Sequence, residues 1–353
     1  MEMTVKPVAV DPQLPRKFLK HVRKRQAAKT AGRIDLQQRY TFSIDKPGTR
    51  VIDDAISISR SAGTWRLDVH VADVATWCVP DSTLDRIVNR CVLQEEHRNR
   101  LMLPMNAVKG GLSLDAGKSR LAITVSMWFD ATATRFATHV YRSIVQCDTN
   151  TNFADADAMN CDTALADTTA KRRLMPKLNM LRSLGTGLAK RQLAHGRLPI
   201  APENSLSSTF DQLIETVMLE TGFAIAEVCK IYKAEVWYRT QAQPSPNQWR
   251  DLRGYFADRL IELPYRPDAH TLAMAMEKVM SDETVGDECR QLCLRNTQAA
   301  ADVIVAKEHF ALGQRLYVQA TSPLRLLRNL HNQQAIRQAI LNFGGPLCLG
   351  VSQ

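Results

Sequence analysis

The sequence predicts an α/β fold, a single domain with strands concentrated in its first part and helices in its second. Three observations carry this. Between residues 40 and 150, polar and apolar residues alternate with the period of strands, as in Thr64–Ala72 and Ala137–Gln146, and Ser119–Phe129 is a long β-prone run. From about residue 163 the period changes to that of helices, beginning with the Ala-, Leu-, Lys- and Arg-rich stretch Ala164–Leu193. The chain is 353 residues long and 45% hydrophobic, enough to build a sizeable core.

Residues 1–37 read as a basic extension. Pro7, Pro12 and Pro15 make its start irregular, and Arg16, Lys17, Lys20, Arg23, Lys24, Arg25, Lys29 and Arg33 follow without an acidic residue among them. Such a run is either an RNA-contacting arm or a solvated basic helix. The body spans 38–343. Strands are expected over 40–44 and 55–59, and Ser82 marks the start of a capped helix. Helices are expected over 209–233, 247–262, 269–281 and 284–311, with short strands at 235–239 and 315–319. A last helix, Leu324–Leu341, is capped by Ser322, carries Pro323 at its start and is stopped by Gly344-Gly345-Pro346. Residues 344–353 form a short tail.

Lys and Arg outnumber Asp and Glu by 46 to 36, a net charge of +10, which favours a polyanionic partner over a neutral or acidic one. No apolar run approaches the ~20 residues of a membrane span, so no membrane association is expected. The start lacks the apolar core of a signal peptide, which predicts an intracellular protein of the cytoplasm, the mitochondrial matrix or another organelle. The eight cysteines are scattered and read as reduced core residues. Cys289 and Cys293, four apart on a helix, leave a metal or redox pair as the alternative.

The chemistry concentrates in Ile44-Asp45-Lys46-Pro47-Gly48-Thr49-Arg50-Val51-Ile52-Asp53-Asp54-Ala55. Three carboxylates on a turn between two strands repel one another unless a cation offsets them, which suggests a Mg²⁺ or Mn²⁺ site. A charged hairpin turn is the other reading. Near the far end, Thr321-Ser322-Pro323-Leu324-Arg325 combines hydroxyls, a helix start and a guanidinium, groups that suit a phosphate.

Further motifs lie between these two in a fixed order: Leu67-Asp-Val-His-Val-Ala-Asp-Val-Ala75, Met102-Leu-Pro104, Gly111-Leu-Ser-Leu114, Arg120-Leu-Ala-Ile-Thr-Val125, Leu213-Ile-Glu-Thr-Val-Met-Leu219, Tyr238-Arg-Thr-Gln241 and His309-Phe-Ala-Leu-Gly313. Over about residues 38–340 the series resembles the RNB catalytic domain of ribonuclease II and ribonuclease R. That resemblance implies a processive, metal-dependent 3′→5′ exoribonuclease that cuts single-stranded RNA to nucleoside 5′-monophosphates. It implies that Asp45, Asp53 and Asp54 hold Mg²⁺ or Mn²⁺, with Asp53 the most catalytic of them. Arg325 would clamp phosphate and offset transition-state charge. Thr321, Ser322, Glu215, Tyr238 and Arg239 would line the RNA path.

The chain also departs from the family pattern. Val51 stands at the position of a fourth metal-binding aspartate, with Arg50 adding positive charge beside it. Gln94 falls where a tyrosine stacks on terminal bases, which removes ~1–3 kcal/mol of stacking. Asn329, Gln333 and Gln241 replace an aspartate and two histidines. Full-length relatives also carry cold-shock-type OB modules before the domain and an S1 module after it. The expectation is therefore an attenuated exoribonuclease whose missing RNA-binding modules come from protein partners or a ribonucleoprotein. The alternative is a catalytically inactive RNB module serving as an RNA-binding or structural subunit.

Overall fold

The computed structural model describes residues 30–79, 103, 105, 108–161, 168–200, 209–265, 267–280 and 283–350. Arg16, Lys17, Arg23, Lys24, Arg25, Gln94 and the helix expected from Ser82 lie outside them. Strands come first: β1 (Ile34–Asp35), β2 (Phe42–Asp45), β3 (Asp54–Ser61), β4 (Thr64–Ala72), β5 (Ser119–Phe129), β6 (Arg135–Gln146) and β7 (Thr149–Asn152). Helices α1 (Phe153–Cys161), α2 (Thr169–Ala194) and α3 (Phe210–Ile231) follow. Then come β8 (Tyr238–Thr240), α4 (Pro246–Ala257), α5 (Ala269–Val279), α6 (Glu283–Arg295), β9 (Ala301–Val303), α7 (Leu327–Phe343) and β10 (Leu347–Leu349).

One eight-stranded sheet runs β1-β6-β5-β4-β3-β2-β7, with β10 also paired to β6. Strands β3 to β6 are antiparallel neighbours, while β1 on β6 and β7 on β2 are parallel. β1 and β10 carry the sheet beyond the expected body limits of 38 and 343.

The sheet is buried on both faces, so its central strands read as nearly continuous apolar runs. On one face Ile56, Ile58, Val69, Val71, Val125 and Met127 pack with Leu178 and Leu181 of α2 and Leu213 and Val217 of α3. At 26 residues α2 is the longest described helix; Thr168 caps it, and it continues through Pro176, Gly185 and Gly187. On the other face Val51, Ile52, Ala55, Ala72, Val74 and Ala122 pack with Leu324 and Leu330. Along that face a buried polar seam crosses four strands: Thr41 Oγ1 meets Ser57 Oγ at 2.8 Å, and Ser57 meets His70 Nε2 at 2.9 Å. His70 Nδ1 meets Thr124 Oγ1 at 2.8 Å, and Thr124 meets Ser143 Oγ at 2.6 Å. A third cluster joins α4, α5 and α6, and there Cys289 and Cys293 are buried free thiols hydrogen-bonded to one another.

Three expectations in the second half need correction. The last helix starts at Leu327, not Leu324, and Ser322 does not cap it. Residues 321–326 remain a turn because their backbone N–H groups find other partners: Ser322 N donates to Asn329 Oδ1 and Leu324 N to Asp53 Oδ1. The helix expected over 284–311 stops at Arg295, where the Asn296 side chain donates to the Leu292 carbonyl. Beyond it Ala301–Val303 pairs with β8, so tertiary pairing overrides an alanine-rich helical propensity. Residues 315–319 form no strand and touch β8 only through a bridge between Val318 and Tyr238. They are instead pressed against Gly222 of α3, where a Cβ would run into the Tyr317 ring.

Candidate active site

The turn Lys46–Thr49 folds back through Pro47-Gly48, with Gly48 at a φ of 79° that favours glycine. It sets Asp45 at the end of β2 close to Asp54 at the start of β3, with Asp53 just before it. The three aspartates feel one another. Burial raises Asp54 well above the ordinary carboxylate range, and Asp45 and Asp53 raise it further, with Arg325 opposing. Burial likewise pushes Asp45 up to about 6; a hydrogen bond from Ser43 and the charge of Arg325 pull the other way. Asp45 Oδ2 is buried without a hydrogen-bond partner.

Arg325 reaches this corner from the other end of the sequence. Its Nε donates to Asp53 Oδ2 at 2.5 Å, and its Nη2 donates to Ser322 Oγ at 3.1 Å. Asp53 is 1% exposed, and burial raises its pKa despite Arg325 and the Leu324 amide. Burial works against the Arg325 charge, yet Asp53, then Asp54 and Asp45, holds its pKa above the ordinary arginine value. Arg50 is exposed, and it is Arg325 that pairs with Asp53.

The donor set suits a hard divalent cation, since the corner offers carboxylate oxygens and one of them is buried without a partner. Among the described residues no three His, Cys, Asp or Glu side chains are gathered into a ready metal cage. Val51 is buried in the apolar cluster with Ile52, Leu324 and Leu330.

The other expected residues separate into two groups. Thr321 and Ser322 lie half-buried in the turn that presents Arg325. The remainder are committed elsewhere. Tyr238 is buried in the main core. Arg239 pairs with Asp302 at 3.2 Å, as does Arg328 at 3.1 Å. Glu215 is exposed on α3 and pairs with Arg197 at 3.0 Å.

The departures have structural work of their own. Gln333 accepts from Val74 N and Ala75 N and donates to the Ala72 carbonyl. Gln241 donates to the Gln298 carbonyl and accepts from Ala311 N. Sequence reasoning missed Ser43, which is hydrogen-bonded to Asp45 and receives a 2.9 Å bond from Asn150. Its signal was the two-residue spacing before Asp45, which puts both on one side of a strand.

Fold and corner together define a mixed α/β domain that brings three aspartates and an arginine to one edge of its sheet. The chain belongs to the RNB domain family, whose model matches residues 33–342. It is 21% identical over 328 residues to ribonuclease R of Mycoplasmopsis pulmonis, covering 88% of this chain and 45% of that protein. The fold is similar to ribonuclease R of Mycoplasma genitalium, solved in complex with ribose-methylated single-stranded RNA, with a TM-score of 0.77 at 17% identity, covering 92% of this chain and 54% of that one. It is also similar to yeast Ssd1, described as a pseudonuclease, with a TM-score of 0.74 at 18% identity, covering 90% of this chain and 41% of that one. The chain thus spans about half the length of the ribonuclease R proteins it matches.

Proposed function

We propose that this chain binds single-stranded RNA and hydrolyses it slowly from the 3′ end to nucleoside 5′-monophosphates. The observation that carries this reading is the corner where Asp45, Asp53, Asp54 and Arg325 meet, with Asp45 Oδ2 left unpartnered. Asp45, Asp53 and Asp54 would hold Mg²⁺ or Mn²⁺. When bound, the ion supplies Lewis-acid stabilisation of phosphoryl charge and activation of water. Leu324 N keeps Asp53 in place while Arg325, half-exposed, turns its remaining donors to a phosphate oxygen. Turnover is attenuated because Val51 packs into the apolar cluster, so that no fourth carboxylate reaches the corner from its position, and because Arg325 already offsets Asp53. Protein partners or a ribonucleoprotein would add further RNA contacts.

A second reading, an inactive RNA-binding or structural RNB module, is favoured by the burial of Val51 among apolar side chains. Likeness to a pseudonuclease fold is compatible with it. Titrating the full chain with Mn²⁺, followed by electron paramagnetic resonance, separates the two. The hydrolytic reading expects one weak site that Asp45→Asn removes. Binding absent from the wild type, or untouched by Asp45→Asn, leaves the inactive module.

A further inference from the structure

A group of arginines stands apart from the carboxylate corner. Arg33, its side chain fully buried, pairs with Asp73 at 2.5 Å and donates to Thr76 Oγ1 at 2.9 Å. It also donates to the carbonyls of Ala122 and Ser143, which fixes it to the end of the sheet. Thr76 Oγ1 donates to Asp73 and accepts from Arg337 Nε at 3.1 Å. Among the described residues Arg142, on β6, has long contacts of 3.5 Å from Nη2 to the carbonyls of Ala31 and Gly32, and its Nε is buried without a partner. Burial, then Arg33 and Arg337, lowers the pKa of Arg142, with Asp73 opposing. Arg33 and Asp73 offset one another, and Arg142 and Arg337 stand beside that pair with no carboxylate of their own among the described residues, a positive charge that an anion would relieve.

The group has a defined place relative to the corner. Asp54 pairs with Val71, Val71 with Ile123 and Ile123 with Arg142, so the two sites lie in one row of the sheet. Three strand spacings separate them, roughly 14 Å. Asn329, Gln333 and Arg337 recur every four residues on α7. Asn329 bonds the Arg325 turn, Gln333 the end of β4, and Arg337 reaches Thr76. Along the helix that is about 12 Å.

We propose that Arg142 and Arg337, seated on the buried Arg33–Asp73 pair, form a second phosphate site that holds a backbone phosphodiester of the RNA strand away from the carboxylates. The inference rests on the RNA-binding reading. A polyanion fits better than a small free anion because the net charge is +10 and the basic run beginning at Arg16 leads directly into Arg33.

The test measures fluorescence anisotropy of labelled single-stranded RNA on the full chain, in an Asp53→Asn background that prevents degradation, across a salt series. Loss of two phosphate contacts in Arg142→Gln/Arg337→Gln lowers the slope of log affinity against log salt by about 1.4, since each contact on a single strand contributes ~0.7. Arg337→Gln alone, the safer variant for folding, lowers it by ~0.7, and Arg337→Lys keeps it. Arg250→Gln, exposed on α4, serves as the control for charge loss elsewhere. RNA binding with a slope unchanged from that control overturns the second site and leaves the RNA reading standing. No RNA binding by the parent chain overturns both.

Discussion

Val51 carries a packing role that a carboxylate cannot fill. It is 5% exposed and shares its cluster with Leu324 and Leu330, the residues that carry the Arg325 turn. Val51→Asp would bury a charge among apolar side chains and is expected to cost about 3 kcal/mol or more, read by urea denaturation without divalent ions. It is not expected to raise RNA cleavage. A stable Val51→Asp protein that cuts faster than the wild type would show that the position faces the carboxylates instead. Gln333 makes the same point from the polar side. Gln333→Ala leaves the buried Ala75 N–H without an acceptor, while Val74 N keeps the Ala72 carbonyl, and should lower stability by about 1–2 kcal/mol, by the same measurement. The three aspartates and Arg325 were legible in the sequence because they sit in short, characteristic motifs. The Arg325–Asp53 contact was not, because it joins residues 272 apart. The structural duties of Asn329 and Gln333 were equally hidden, since a hydrogen bond to a distant backbone leaves no local pattern.

The polar seam across β3 to β6 ties strand pairing to pH. His70 is fully buried between Ser57 and Thr124, and burial lowers its pKa to about 4. Between pH 4 and 6.5 the unfolded chain therefore binds more protons at this position than the folded one. The stability this group contributes is complete above pH 6.5 and lost as pH falls through that window, at roughly 1.4 kcal/mol per pH unit. His70→Gln should flatten that part of the melting-temperature profile. Asp45 titrates in the same range with the opposite sign, so the difference between wild type and variant is the quantity to read. A difference independent of pH would contradict the buried, neutral imidazole. At α3, Gly222→Ala would drive a methyl group into the Tyr317 ring and the Val318 carbonyl and should cost about 2 kcal/mol by urea denaturation. The strands and long helices could be read from their periods. The start of α7 could not, because the side chains of Asp53 and Asn329 take the backbone N–H groups that a longer helix would have left to capping.

At the scale of the whole molecule, one end of a doubly covered sheet gathers charge of both signs. The acidic corner lies where β2 and β3 meet the Arg325 turn, and the arginine group lies three strands away. The order of the motifs made the family legible, and the fold followed from it. The sequence left open whether the corner still works, because that depends on how Val51, Arg325 and the aspartates share a few ångströms of space. The most direct test incubates the full chain, in excess, with single-stranded RNA labelled at its 5′ end and Mn²⁺, and resolves the products over time. The account predicts slow, stepwise shortening from the 3′ end, release of nucleoside 5′-monophosphates, and loss of both in Asp53→Asn. RNA that stays bound and intact, or cleavage that survives Asp53→Asn, would contradict it.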